Sequence, residues 1–141
     1  MKMSGLGRRS EKIKERVMGL FKSKEEKARL SNVANLIALS MADGKVQESE
    51  LATIAIVATR DGITDKEIKK MVEGKKQVKF VAPEDDATKL RYLKDLVSLM
   101  MIDGNIDENE LMFCKLVAEG YGFRHEVIDA LILSIIDTLN K

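Results

Sequence analysis

The sequence is poor in residues that break helices, form disulfides or build aromatic cores. Its 141 residues include one proline, one cysteine, two tyrosines, four phenylalanines and no tryptophan. A single cysteine, Cys114, excludes an intrachain disulfide and a cysteine-rich zinc site. The shortage of proline and aromatic residues, beside abundant Leu, Ile, Met, Lys and Glu, predicts an all-α fold.

Long hydrophobic runs are also missing. The longest apolar stretches, around Leu96–Ile102 and Ala130–Ile136, are too short to span a bilayer. The N-terminus lacks the apolar core of a signal peptide. We therefore expect a cytoplasmic protein with no transmembrane segment. The composition, 45% hydrophobic and 33% charged, is typical of a globular protein, and the length fits one domain.

Positive and negative residues are nearly balanced, so the chain has almost no excess of either sign and a net charge of only +1. We therefore expect no nucleic-acid partner. The distribution is uneven, however. Residues 1–29 contain ten Lys or Arg against four Asp or Glu, whereas the remaining residues contain fourteen against nineteen. A basic N-terminal arm thus precedes a mildly acidic body.

The arm, residues 1–22, ends in a short basic amphipathic helix predicted over Ser10–Lys22. Its apolar residues recur at helical spacing and are Ile13, Val17, Leu20 and Phe21. Such a helix can contact an anionic membrane surface peripherally or dock on a protein partner. Because its apolar face is narrow, we favour packing onto the domain that follows, residues 23–141.

Six further helices are predicted in that domain. Capping boxes begin two of them, at Ser23 with Glu26 and at Thr64 with Glu67. The predicted ranges are about 23–42, 48–60, 64–74, 85–102, 108–119 and 124–140. The segment Lys75–Ala82 alternates loosely and precedes the only proline, which predicts an extended crossover. With the helix of the arm, the count is about seven.

The domain contains an internal repeat with an offset of sixty residues. Leu36–Ile63 aligns with Leu96–Phe123 without a gap, and eleven of twenty-eight positions are identical. The first-copy members of the identical pairs are Leu36, Leu39, Met41, Asp43, Gly44, Glu48, Glu50, Leu51, Val57, Ala58 and Gly62. Repeats of about 23–74 and 84–140 predict a duplicated, pseudo-twofold domain in which the two copies bury their apolar faces against each other. The helix around Leu96–Ile102 should be central, beside its counterpart.

The most conspicuous repeated motif is MADGKVQESE at Met41–Glu50 and MIDGNIDENE at Met101–Glu110. The spacing from each glycine to the last glutamate matches positions 6 and 12 of an EF-hand calcium loop. Positions 1 and 3 would then be leucine and methionine, whose side chains offer no oxygen ligand. A standard EF-hand is therefore excluded.

Helix termination and capping explain most of this motif. Gly44 and Gly104 are placed to end helices, and Glu50 and Glu110 stand where a capping-box glutamate belongs. Asp43 and Asp103 are harder to explain. Each is predicted in the last turn of its helix, where the negative end of the dipole disfavours a carboxylate. Their partner is a basic side chain, the amides of the turn, or a hard cation held with helix-end carbonyls, for which calcium or magnesium fits better than zinc.

The duplicated pattern of a helix, Asp-Gly and a Glu six residues after the glycine, with glycine turns between helices, resembles the TerB-like (tellurite-resistance TerB) family. That family includes the N-terminal module of DjlA-type co-chaperones. The resemblance covers roughly Ser23–Asn140 and implies a seven-helix duplicated domain. It implies a divalent-metal site formed by Asp43, Glu50, Asp103 and Glu110. It also implies a role in tellurite resistance or envelope stress, with protein partners in a membrane-associated stress complex.

Other candidate residues have simpler explanations. His125 is the only histidine and has no nucleophile beside it in the sequence, and Cys114 lies on the apolar stripe of its helix. A basic cluster in and after the third domain helix is most simply a solvated face. Its members are Lys66, Lys69, Lys70, Lys75, Lys76 and Lys79. Two hypotheses follow: a non-enzymatic TerB-like domain whose acidic turns bind a divalent cation, and an adaptor that binds a protein or a membrane through the basic N-terminal helix, with purely structural turns.

Overall fold

The structure is a computed structural model that describes residues 22–44 and 46–140, without the side chain of Asp43. Six α-helices are described: α1 Lys24–Ser40, α2 Glu48–Arg60, α3 Asp65–Val72, α4 Asp86–Met100, α5 Glu108–Gly120 and α6 Glu126–Leu139. A single 3₁₀ turn, Met41–Asp43, extends α1. No strand occurs within those ranges, so the prediction of an all-α fold is confirmed. The helix predicted over Ser10–Lys22 lies outside the described residues except for Lys22, and the count of seven stays a prediction.

The helix starts are capped as the sequence predicts. The Ser23 hydroxyl accepts a hydrogen bond from the Glu26 amide at 3.1 Å, and the Thr64 hydroxyl accepts from the Glu67 amide at 3.2 Å. The Asp85 carboxylate accepts from both the hydroxyl and the amide of Thr88, each at 2.8 Å. These bonds lower the pKa of Asp85, mainly through the hydroxyl. The Ser23 and Thr64 caps each stabilise their helix by about 1 kcal/mol.

The core is organised around α1 and α4, which pack against each other. Leu36 on α1 and Leu96 on α4 are fully buried. The predicted central position of the helix that ends near Ile102 is therefore confirmed, as is the position of its counterpart beside it. The remaining helices cover this pair: α2 packs on α1, whereas α5 and α6 pack on α4.

The two central helices run in the same direction. At their starts, the Lys24 ammonium lies 3.5 Å from the carboxylate of Glu84, just before α4. Two turns further, Asn32 Nδ2 donates a hydrogen bond to Asp95 Oδ2 at 3.4 Å. Residue numbers rise together between these two contacts. The Asp-Gly turns that follow α1 and α4 consequently leave the helix pair at the same end.

The segment from Lys75 to Ala82 has no regular secondary structure, as predicted for the crossover between the halves. Phe80 of this segment lies over the end of α5, with its ring centroid 5.5 Å from that of Tyr121. A Cβ atom at Gly120 would approach the Phe80 ring to 2.7 Å. Glycine at position 120 therefore allows the crossover to lie close against α5.

Candidate functional site

The two Asp-Gly turns have the same backbone geometry. Gly44 has a φ of 92° and Gly104 a φ of 83°, a left-handed conformation that residues with a Cβ rarely adopt. The amide of each glycine donates to the carbonyl three residues earlier, at 2.9 Å from Gly44 to Met41 and 3.0 Å from Gly104 to Met101. The prediction that a glycine ends the helix is confirmed for Gly44, which caps the 3₁₀ turn that extends α1. Gly104 instead closes the turn that follows α4, because that helix already ends at Met100.

Asp103 differs from the sequence-based prediction. It lies beyond α4, which ends at Met100, and not in the last turn of that helix. The Asp103 Oδ1 atom accepts a hydrogen bond from the amide of Asn105 at 3.0 Å. The exposed carboxylate thus stabilises the turn itself, and the predicted conflict with the helix dipole is relieved. Of the partners expected for this aspartate, the turn amide is the one observed.

Among the carboxylates of the motif that the structure describes, Glu50 is the most buried, with 7% of the residue exposed. Its Oε1 accepts from the amide of Gln47 at 3.3 Å, as a capping-box glutamate does. In the second turn Asp107 caps α5, because its Oδ1 accepts from the amides of Asn109 at 2.8 Å and Glu110 at 3.1 Å. Helix capping therefore engages a carboxylate at the start of both α2 and α5.

The structure describes the side chains of three of the four predicted metal ligands. Glu50, Asp103 and Glu110 belong to the described residues, whereas the side chain of Asp43 does not. Within the described part of the chain, no three acidic, histidine or cysteine side chains come together in a way that holds a metal ion. A site built from three or more such side chains at these turns would consequently include Asp43.

A partly buried polar cluster that sequence reasoning missed lies between α1, α4 and the end of α2. The Arg60 guanidinium binds Asp95 through two hydrogen bonds, Nη2 to Oδ2 at 2.7 Å and Nη1 to Oδ1 at 3.3 Å. Arg60 Nε also donates to Asp61 at 3.4 Å, and Asn32 donates to Asp95 from the other side. The bonds to Asp95 raise the pKa of Arg60 above its ordinary value. The signal in the sequence was one asparagine and one aspartate on otherwise apolar helix faces.

Two tyrosines lie next to this cluster. Burial raises the pKa of Tyr121, and the neighbouring Asn35 side chain offsets part of that rise. Burial also raises the pKa of Tyr92, and the charge of Asp61 adds to the effect. One oxygen of Asp61 is buried without a hydrogen-bond partner among the residues that the structure describes. The cluster connects the two halves of the domain, because its strongest contact is the ion pair of Arg60 on α2 with Asp95 on α4.

Cys114 is fully buried, as predicted, with its sulfur 3.9 Å from that of Met100. Burial, and secondarily the charge of Glu110, raises the pKa of the thiol from 9.0 to about 12. The folded state therefore holds this proton more tightly than the unfolded chain. The resulting stabilisation is fully present below pH 9 and is lost as the pH rises towards 12.

Alkaline unfolding provides a test of this burial. At about 1.4 kcal/mol per pKa unit, the free energy of unfolding should fall by an amount on the order of 4 kcal/mol between pH 9 and pH 12. Urea melts at these pH values measure the loss. Cys114→Ala serves as the matched variant, since it lacks the thiol and should lose less over the same interval. An identical pH dependence in both chains would contradict the assignment to Cys114.

The remaining candidates of the sequence analysis have ordinary surroundings. His125 directly precedes α6, and its Nε2 lies 3.1 Å from the Glu119 carboxylate. In the lysine cluster, Lys75 lies 3.0 Å from the carboxylate of Glu73, and Lys76 lies 4.0 Å from that of Glu67. Most of the cluster is exposed, as expected of a solvated face.

Comparison with known proteins adds no relative. No protein family, no curated protein and no solved structure matches the chain. Among the helices that the structure describes, none combines the length and apolar character needed to cross a membrane.

Proposed function

We propose that the chain is a non-enzymatic, TerB-like helical domain of a tellurite-resistance-type stress-response system, and that its paired Asp-Gly turns bind a divalent cation. The observation that carries the proposal is the parallel course of α1 and α4. It brings both turns to one end of the helix pair, where two acidic motifs meet a single ion more readily than at opposite ends. Calcium or magnesium is the expected ion, because the ligands are oxygen atoms.

The proposal includes an internal duplication, which a pair of equivalent turns supports. Ile63 donates from its amide to the Ala58 carbonyl at 2.8 Å, and sixty residues later Phe123 donates to Ala118 at 2.9 Å. The glycine before each of these residues is left-handed, with a φ of 76° at Gly62 and 88° at Gly122.

We propose no catalytic role because of the surroundings of the two side chains that could react, Cys114 and His125. The Cys114 thiol is buried with a raised pKa, which opposes formation of the nucleophilic thiolate. The observed side-chain partner of His125 is the Glu119 carboxylate, at 3.1 Å from Nε2. The domain then acts by binding, with protein partners in a cytoplasmic, membrane-associated stress complex.

Cation binding is tested by melting the protein with and without added calcium, magnesium or zinc. A cation that binds only the folded state at 100 times its Kd stabilises it by about 2.7 kcal/mol. For a chain of this length, the melting temperature should rise by about 5–10 °C. Because no described set of carboxylates suffices, Asp43→Asn alone should abolish the rise, and Asp103→Asn should reduce it.

The matched control is Glu48→Gln with Glu108→Gln, which removes two exposed carboxylates from the same two motifs. This control should keep the full rise in melting temperature. A melt unchanged by saturating calcium, magnesium and zinc would rule out the cation site. An equal loss in the control would instead indicate general charge screening.

A second candidate function is favoured by the capping bonds. Because Glu50 and Asp103 already accept hydrogen bonds from backbone amides, the turns are explained without any ligand. The chain is then an adaptor that binds a protein or a membrane through its basic N-terminal segment. Sedimentation with anionic vesicles tests this function, and Lys12→Glu with Lys14→Glu should abolish the binding. Binding that is unchanged by these substitutions would exclude the segment as the contact.

A further inference from the structure

An open apolar groove lies between α2 and α3. Four aliphatic side chains line it, Leu51 and Ala55 on α2 and Ile68 and Val72 on α3, and its volume is about 360 Å³. We refer to it as the α2–α3 groove. A groove of this size with an apolar lining is typical of a surface that binds an apolar group.

The equivalent place in the second half is filled by a side chain of the chain itself. Lys115 on α5 stands sixty residues after Ala55, its side chain is 23% exposed, and its ammonium lies 3.9 Å from the carboxylate of Asp129 on α6. The methylene stem of this lysine therefore covers the junction of α5 and α6. Alanine at position 55 has no such stem, so the α2–α3 groove stays open.

The outer side of α6 exposes apolar side chains that this groove could cover. Leu133 is 67% exposed, Ile136 40% and Leu139 77%, although Ile128 of the same helix is fully buried. The three exposed residues follow one another at intervals of three, so they form a stripe along one side of the helix. We refer to them as the α6 stripe. Contiguous apolar surface of this kind marks an interaction site.

The α6 stripe cannot reach the groove of its own chain. α6 packs on α4 and α5, whereas α2 and α3 pack on α1. Ile128 holds α6 in the core, because none of this residue is exposed. A contact between the stripe and the groove therefore joins two chains.

The two helices that would meet carry opposite charge. α6 has no lysine or arginine, and its carboxylates are Glu126, Asp129 and Asp137. Asp137 follows Leu133 by four residues, so it lies on the same side of the helix, and the C-terminal end of the helix dipole adds negative charge there. Residues 65–79, which contain α3, hold six lysines against three carboxylates.

Lys69 brings this basic character to the α2–α3 groove. It lines the groove, and its side chain is 77% exposed. Of the two carboxylates that also line the groove, Glu73 lies 3.0 Å from the ammonium of Lys75 and 4.0 Å from that of Lys69. The other, Asp65, is the first residue of α3, where the helix dipole offsets part of its charge. An apolar groove on a basic helix is complementary to an acidic amphipathic helix.

We propose that the α6 stripe of one copy of this chain docks in the α2–α3 groove of a second copy. The contact joins two different surfaces, so each copy keeps one groove and one stripe available, and further copies add head to tail. The association is separate from both candidate functions, because neither the Asp-Gly turns nor the N-terminal segment belongs to the groove or the stripe.

Sedimentation velocity of the full-length protein tests the contact with three lysine variants. Ala55→Lys fills the groove with the side chain found at the equivalent position of the second half, and Leu133→Lys interrupts the stripe. Ile56→Lys is the matched control, because Ile56 neighbours Ala55, is 72% exposed and lies outside the groove lining. The wild type and Ile56→Lys should associate as the concentration rises to about 500 µM. Ala55→Lys and Leu133→Lys should each raise the Kd about tenfold or more.

A lysine at position 55 attracts an acidic partner, so weaker association there reports filling of the groove and not charge repulsion. Leu51→Lys is a second groove variant at a residue that is already 43% exposed, and it should weaken association as much. Circular dichroism checks that each variant keeps the helical fold. Association that survives both groove variants would overturn the proposal, as would a wild type that stays monomeric up to about 500 µM.

Mixing two variants tests the head-to-tail arrangement directly. Ala55→Lys retains an intact stripe, and Leu133→Lys retains an intact groove, so one contact can form between them. The mixture should contain dimers of one chain of each kind and nothing larger. A mixture that remains monomeric at concentrations where the wild type associates would overturn the docking of the stripe in the groove.

Discussion

Leu96→Ala should lower the free energy of unfolding by about 2–5 kcal/mol, one of the largest losses expected for a single substitution in this chain. Leu96 is fully buried on α4, so truncation removes apolar contacts and leaves a cavity that the packed helices fill only in part. For a chain of this length, a loss of about 3 kcal/mol lowers the melting temperature by about 6–12 °C. Urea and thermal melts measure it.

Leu36→Ala provides a matched partner for this experiment. Leu36 stands sixty residues earlier, is equally buried and lies on α1. If the two helices occupy equivalent places, the two losses should agree within about 1 kcal/mol. Leu133→Ala is the surface control, and its expected loss is below about 0.5 kcal/mol. A loss of that small size at position 96 would contradict the central position of α4.

The second large effect is expected for Asp95→Ala, with a loss of about 2–3 kcal/mol. The substitution leaves the Asn32 amide, on a residue only 1% exposed, without its hydrogen-bond partner. It also leaves the Arg60 guanidinium without its bidentate acceptor. The expected loss is smaller than for a fully buried ion pair, because the Arg60 side chain is 40% exposed and regains contact with water.

A double-mutant cycle isolates the interaction between Arg60 and Asp95. Asp95→Asn keeps an acceptor oxygen for both partners. Its free energy of unfolding should therefore lie between that of the wild type and that of Asp95→Ala. The cycle with Arg60→Ala should give a coupling of about 1 kcal/mol or more. A coupling near zero would show that the pair contributes no more than an ordinary surface salt bridge.

Sequence reasoning predicted the helices well, for a local physical reason. Caps, glycine ends and apolar periodicity act within a few residues, so Ser23, Thr64 and Gly44 indicate where helices begin or end without knowledge of the fold. The predicted central helix pair also follows from such a pattern. The stretch Leu96–Ile102 is apolar on nearly every side, and only a helix surrounded by protein tolerates that composition.

The candidate site was only partly predictable. The position of Glu50 as a capping carboxylate follows from its spacing along the chain. The bond between Asp103 and the Asn105 amide does not, because it depends on α4 ending at Met100 and on the path of the turn that follows. A shift of a helix end by two residues changed the environment predicted for this carboxylate from an unfavourable helix end to a stabilised turn.

The sequence by itself determined the helical class, the capped helix starts, the sixty-residue repeat and the burial of Cys114, since each depends on local propensity or on one helix face. Tertiary structure alone decided the parallel course of α1 and α4, the cluster of Arg60 with Asp95, and the exposure of Leu133 and Leu139 on α6. These features join residues far apart along the chain, or depend on what covers a helix. An amphipathic pattern states that a face is apolar, and only packing decides whether that face meets the core or the solvent.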